Sequence, residues 1–180
     1  MKKLIYVILI GGLMTGWSRA QQADNIQSEV TTAPATPTKD YLKEGLDYLK
    51  KADTASAIKS LDEAIRQNPT NTRAYIVLGE MYMRMKDFDR AIDTFGAASM
   101  MNPNEGEVFY LLALSHQMAG PRHANEALQS VQKSLAVFKK KNDEKSYAKS
   151  VVLLREIVNE AKQAQEGNLE KKEPAPVEEN

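Results

Sequence analysis

The chain has 180 residues, of which 42% are hydrophobic and 27% are charged, and it contains no cysteine. This composition is typical of a globular protein, and the length allows one domain with tails but no large second domain. Without cysteine, disulfides, thiolate metal sites and a cysteine nucleophile are excluded. Because 24 basic residues balance 24 acidic ones, the whole chain lacks the excess positive charge that marks nucleic-acid binding.

Residues 1–20 have the features of a bacterial secretory signal peptide. Lys2 and Lys3 precede an apolar run at 4–13, and a small-x-small cleavage site ends at Ala20. We predict cleavage after Ala20, which gives a periplasmic or secreted protein with no stable membrane insertion. The alternative is an uncleaved anchor, although the apolar run is shorter than the ~20 residues that a spanning helix needs.

Two segments flank the part of the chain that can form a core. Residues 21–37 contain two prolines and few large apolar side chains, which predicts a disordered linker. Residues 167–180 combine proline with charged residues and predict a disordered tail. The acidic end of this tail leaves a recruitment role open beside that of a solvated terminus.

The stretch 74–104 carries two consecutive apolar stripes at helical spacing. The stripe residues are Tyr75, Leu78, Gly79 and Tyr82 in the first segment and Ala91, Phe95 and Ala98 in the second. Two helices of this kind form a hairpin. Gly79 and Ala91 remove bulk where the helix axes cross, and Pro103 ends the second helix.

The same frame recurs on both sides of this hairpin, 34 residues away in each direction. The earlier copy is Tyr41, Gly45, Tyr48, Ala57, Leu61, Ala64 and Pro69; the later copy is Phe109, Leu112, Ala113 and His116, then Ala127, Val131 and Ser134. A two-residue insertion at Gly120-Pro121 separates the two halves of the later copy. Self-similarity at a fixed period indicates a stack of repeats.

These residues resemble the tetratricopeptide repeat, whose 34-residue pattern has an aromatic, Leu-Gly, Tyr, Ala, Phe, Ala and Pro at the positions filled here between Tyr75 and Pro103. The resemblance implies an all-α fold, a helix-turn-helix solenoid of three repeats plus a C-terminal capping helix. The repeats are predicted at 38–71, 72–105 and 106–141, the third being degenerate because of its insertion. The capping helix is predicted at 142–166.

The sequence predicts seven helices in these units. Their predicted bounds are 39–50, 54–67, 72–85, 88–101, 105–118, 123–139 and 143–166. Asp53 or Thr54 is placed to cap the second helix and Asp87 the fourth, while Asn104 with Glu107 has the spacing of a capping box. The seventh helix is predicted to cover the last repeat with one apolar face, made of Tyr147, Val151, Leu154, Val158 and Ala161.

Few residues in the chain could carry out chemistry. The two histidines are His116 and His123, and His116 fills the position of Tyr48 and Tyr82, which predicts a packed ring rather than a metal ligand. The methionines are interpreted as adaptable packing and groove surface, with soft-metal binding as a weaker alternative. No nucleophile with its base, phosphate loop or dinucleotide fingerprint is present. We therefore expect no enzyme activity, no cofactor and no metal.

The resemblance also implies where a partner would bind. In this family the second, fifth, ninth and twelfth positions of each repeat line a concave groove. Here they are Lys39, Leu42, Leu46 and Leu49; Arg73, Ile76, Glu80 and Met83; and Glu107, Tyr110, Leu114 and Gln117. Chaperone-tail binders of the family hold a terminal carboxylate with Lys at the fifth and Asn at the ninth position of the first repeat. This chain has Leu42 and Leu46 there, which disfavours such a clamp.

A mainly apolar groove suits an extended or helical peptide with apolar anchors. The sequence therefore predicts an exported, non-enzymatic adaptor that binds a protein or peptide partner of the cell envelope and supports complex assembly. Two alternatives stay open. The protein could be a structural homo-oligomer that pairs copies through the same groove, or the groove could be filled by its own capping helix or linker.

Overall fold

The computed structural model describes residues 39–170, which form seven α-helices. In chain order these are α1 (Tyr41–Lys50), α2 (Thr54–Gln67), α3 (Thr72–Arg84), α4 (Phe88–Met101), α5 (Gly106–Ala119), α6 (Ala124–Lys141) and α7 (Glu144–Glu170). A short 3-10 turn, Pro121–His123, lies between α5 and α6. No strand occurs within residues 39–170, and the predicted all-α class is confirmed.

The helices pack as consecutive hairpins. α1 packs on α2, α3 on α4 and α5 on α6, and each hairpin also contacts the next one. α7 packs on α6 and α5 at the end of the stack. This arrangement is the predicted helix-turn-helix solenoid, in which each unit completes its core against its neighbours.

The predicted signal peptide at 1–20 and linker at 21–37 lie outside the described residues, as do residues 171–180 of the predicted tail. Residues 167–170 were also predicted to be disordered, but they belong to α7. The prediction for these four residues was wrong because the first helix-breaking proline of this region comes only at Pro174. Among the helices that the structure describes, none is both long and apolar enough to cross a membrane.

Aspartate side chains start several of these helices. The Asp53 carboxylate accepts a hydrogen bond from the Ser56 backbone N–H at 3.1 Å, and Asp87 accepts one from the Arg90 backbone N–H at 3.2 Å. Both predicted caps are thus confirmed.

The predicted capping box at Asn104 and Glu107 was wrong. α5 begins at Gly106 with Glu105 in the capping position and no side-chain cap, one residue later than the box requires. The Glu105 carboxylate instead lies 3.7 Å from the Lys141 ammonium.

The backbone repeats with the same period as the sequence. Ala52 and Lys86 both have φ of 59°, and Gly120 has φ of 107°, at places 34 residues apart. Each of these residues ends the turn that follows the first helix of a hairpin, where a left-handed residue reverses the chain. Of these three positions, only the third is a glycine. The 3-10 turn Pro121–His123 follows it, at the place of the predicted insertion.

The middle hairpin closes on a glycine. A Cβ atom at Gly79 would lie 2.5 to 2.8 Å from three ring carbons of Phe95, which is fully buried on α4. Likewise, a Cβ atom at Gly45 would lie 2.9 Å from Leu61. These distances leave no room for a side chain, so the predicted close crossing of the helices is confirmed.

α7 covers the last hairpin, but with a different face from the predicted one. Its buried residues are Ser150, Leu153 and Ile157, which pack with Ala113, Ala127 and Val131. The Ser150 hydroxyl lies 2.7 Å from that of Ser134 in this buried contact. In the predicted face, only Leu154 packs against this cluster. Tyr147 is 37% exposed, and Val151, Val158 and Ala161 are half-buried. The prediction counted only hydrophobic residues and therefore left out Ser150, which is why it assigned the wrong face of α7 to the core.

Candidate partner-binding groove

The first helix of the stack presents a face of leucines. Leu42, Leu46 and Leu49 lie at i, i+4 and i+7 on α1, and all three are half-buried against the core. Each leucine therefore has a fixed inner side and an accessible outer side. Such a surface can take apolar side chains from a partner without unfolding the hairpin.

The middle helix contributes a mixture of methionine and charge. On α3, Met83 and Glu80 are half-buried, and Arg73 is exposed. Ile76 is only 4% exposed and belongs to the core, so the prediction that it is a groove anchor was wrong. The physical reason is that α3 lies between two hairpins, and every residue from 74 to 79 is buried.

The third part of the groove is partly covered by α7. On α5, Leu114 packs against the cluster that contains Leu153 and Ile157. The Gln117 amide donates a hydrogen bond of 2.8 Å to the Glu160 carboxylate. Both predicted groove residues thus contact the capping helix, which shortens the surface left to a partner.

Two other predicted residues keep an accessible position on α5. Tyr110 is half-buried and packs against both core clusters, and Glu107 is exposed. They line a cavity of about 270 Å³ together with Glu105, Leu111, Phe138, Asp143, Ser146 and Lys149. With three carboxylates and one ammonium, this cavity favours a basic group over an acidic one. Lys39, the remaining predicted residue, precedes α1 and is exposed.

A histidine pair lies at the far end of α5, and the sequence did not reveal it. The rings of His116 and His123 stack with centroids 5.7 Å apart, although six residues that include a turn separate them. His116 is half-buried, and its Nδ1 has no hydrogen-bond partner among residues 39–170. Burial, and next the neighbouring His123, lower the pKa of His116, while Glu126 opposes the shift.

The part of the chain that the structure describes contains no group of three or more His, Asp or Glu side chains placed to hold a metal ion. The accessible residues of the predicted groove are mainly leucines, one methionine and a few carboxylates. The arrangement is suited to recognising a polypeptide segment.

Comparison with known proteins matched one family model to part of the chain. Residues 48–114 match the family model of the tetratricopeptide repeat. These residues cover the whole middle hairpin with parts of its neighbours. A comparison with curated proteins found no match.

Several solved structures share the fold. The TPR2B domain of yeast Sti1 in a complex with Hsp70 has a TM-score of 0.59 at 20% identity, over 66% of this chain and 94% of that one. The first TPR domain of Spaghetti (RPAP3), bound to the HSP90 peptide SRMEEVD, has a TM-score of 0.56 at 17% identity, over 66% and 90%. PcrH from Pseudomonas aeruginosa has a TM-score of 0.57 at 14% identity, over 66% and 89%. At these identities the likeness concerns the fold alone.

Proposed function

We propose that this chain, which carries tetratricopeptide repeats, is an exported adaptor that binds a peptide or helix of an envelope protein in its groove. The observation that carries the proposal is the half-exposed apolar surface of Leu42, Leu46 and Leu49, with Met83 on the next first helix. Apolar surface of this kind, bordered by charge, is typical of interaction sites. In this role the protein supports assembly of a multi-protein complex and needs no catalytic group.

The groove residues suggest which part of a partner is recognised. The Sti1 and Spaghetti structures are complexes with Hsp70 and with an HSP90 peptide. Members of the family that bind chaperone tails use Lys and Asn where this chain has Leu42 and Leu46. A partner segment with apolar side chains at i, i+3 or i+4 and i+7 therefore suits this groove better than a terminal carboxylate.

Peptide display against the purified protein tests the groove proposal. The expected result is enrichment of peptides that carry apolar residues at helical or alternating spacing. Enrichment should disappear when the selection uses Met83→Glu protein, because the charge faces the bound segment. Failure to enrich any such sequence, or equal enrichment on the variant, would contradict the proposal.

The export proposal rests on the leader at residues 1–20. N-terminal sequencing of protein recovered from the cell envelope fraction is expected to begin at Gln21. An intact Met1 start on soluble cytoplasmic protein would contradict export. An intact start on membrane-bound protein would instead favour the uncleaved anchor.

A further inference from the structure

One apolar face of α7 stays partly exposed in the described residues, although Leu154 on it also packs against the cluster of Ala113, Ala127 and Val131. We call this face the hairpin face, and it consists of Tyr147, Val151, Leu154, Val158 and Ala161. Tyr147 is 37% exposed, and the other four side chains are half-buried. The residues follow one another at spacings of four, three, four and three, which is the spacing of a helix-helix seam.

The register of α7 shows what this face corresponds to. Asp143 caps α7 by accepting the Ser146 backbone N–H at 3.1 Å, and α3 has Asn71 in the capping position. Counted from these caps, Tyr147, Val151 and Leu154 take the places of Tyr75, Gly79 and Tyr82. α7 thus starts like the first helix of a fourth repeat.

In the middle repeat, this face holds the second helix of the hairpin. Gly79 lies against the Phe95 ring of α4, and the Arg90 guanidinium of α4 lies 4.6 Å from the centre of the Tyr82 ring. The hairpin face of α7 is therefore the surface on which a second helix would pack.

The described part of the chain supplies no such helix. The first helices of the three repeats have 10, 13 and 14 residues, whereas α7 has 27 and continues without a turn. α7 has Val151 at the position where α3 has Gly79. A helix that packs on this face must therefore cross α7 at a greater distance than α4 crosses α3. The helix that packs here must therefore offer small or slender side chains.

We propose that α7 of a second copy packs antiparallel on this face, about a two-fold axis near Leu153. The second copy fits in direction, because the helices of a repeat hairpin are also antiparallel. It fits in size, because about this axis the large Tyr147 of one copy comes opposite the slender Val158 and the small Ala161 of the other. A two-fold pair of this kind uses the same patch on both copies.

Charges beside the seam favour this pairing. Glu144 and Lys162 are both exposed beside the seam. Glu144 is three residues before Tyr147, and Lys162 is four residues after Val158. In an antiparallel pair centred near Leu153, Glu144 of one copy comes opposite Lys162 of the other, and the contact occurs twice. Arg155, close to the axis, provides one like-charge contact that opposes association.

The expected association is weak. From Tyr147 to Ala161 the seam is about four helical turns long, and such a contact buries less than the ~800 Å² per partner of a standard interface. A dissociation constant in the micromolar range is expected, so the measurements must extend to about 300 µM.

Sedimentation velocity of the purified protein is the first test. The protein should shift from monomer towards dimer with concentration, and Val158→Glu should weaken the association at least about tenfold. Val152→Glu is the matched control, because Val152 is 52% exposed on another side of the same helix. A monomer at every concentration, or a dimer that Val158→Glu leaves unchanged, would overturn the proposal. In the second case the copies would pair elsewhere, for example through the groove.

Two exposed positions test the direction without disturbing the core. Because the chain has no native cysteine, Glu144→Cys and Lys162→Cys proteins can be mixed with a short bismaleimide cross-linker. An antiparallel pair predicts cross-links between the two variants and few within either one. Cross-links only within each variant, as in a parallel pair, or none at all, would refute the arrangement. Charge reversal adds a further check: Glu144→Lys or Lys162→Glu alone should weaken the dimer, and the two together should restore it.

Discussion

Replacing Gly79 by alanine is the sharpest test of how the repeats close. The new Cβ atom would lie 2.5 to 2.8 Å from three carbons of the Phe95 ring, whereas carbon atoms in contact are about 3.5 to 4.0 Å apart. Phe95 is fully buried, so the ring can move only by pushing its neighbours. The hairpin must open by about 1 Å, which strains the core around it.

Two opposing effects determine how Gly79→Ala changes the free energy of unfolding. Alanine in place of glycine in a helix interior stabilises by about 0.8–1 kcal/mol, and overpacking a closed core costs about 1–3 kcal/mol. Gly96→Ala on α4 isolates the first effect, because a Cβ atom there meets nothing within 4 Å. Gly96→Ala should therefore raise the free energy of unfolding by up to about 1 kcal/mol. Gly79→Ala should fall about 1–3 kcal/mol below that control.

Urea unfolding of both variants, followed by circular dichroism, measures this difference. A second substitution, Phe95→Leu, should cost less in the Gly79→Ala background than in the unchanged protein, because it removes the ring that the new methyl group meets. Equal stabilisation by Gly79→Ala and Gly96→Ala would refute the close crossing and, with it, the register of the repeats.

Two further predictions concern Lys86 and His116. Lys86→Gly should raise the free energy of unfolding by about 0.5–1 kcal/mol, because φ of 59° strains a lysine but not a glycine; a loss of stability in urea unfolding would contradict this. Burial, and next His123, lower the pKa of His116 in the folded state. The unfolded chain therefore takes up a proton more readily as the pH falls through about 6.5, so stability should decrease on acidification from that point and stay reduced below the folded pKa. His116→Tyr should remove part of this decrease between about pH 7 and 5, measured as the difference between the two unfolding curves, and an unchanged pH dependence would contradict the role of the histidine pair.

The sequence predicted those parts of the fold that depend on local chemistry or on the repeat period. Asp53 and Asp87 cap their helices because an aspartate before a helix accepts backbone N–H groups wherever it occurs. Gly79 faces Phe95 because the repeat pattern encodes the helix crossing. Such features can be predicted from a short stretch of the sequence or from its repetition at a fixed period.

What the sequence did not predict depends on contacts between distant residues. Ile76 was expected at the groove surface, but hairpins on both sides bury it. Ser150 reads as polar, yet its hydroxyl is satisfied by Ser134 and the residue lies in the core. The contact of Gln117 with Glu160 joins residues 43 positions apart that no local pattern relates.

The measurement that tests the central claim most directly compares two methionines. A peptide selected on the protein is titrated by fluorescence anisotropy against the unchanged protein, Met83→Glu and Met100→Glu. Met83 is half-buried in the groove, whereas Met100 is 74% exposed on α4. The groove account predicts at least about tenfold weaker binding for Met83→Glu, or ~1.4 kcal/mol, and an unchanged affinity for Met100→Glu. Equal affinities for all three proteins would contradict it.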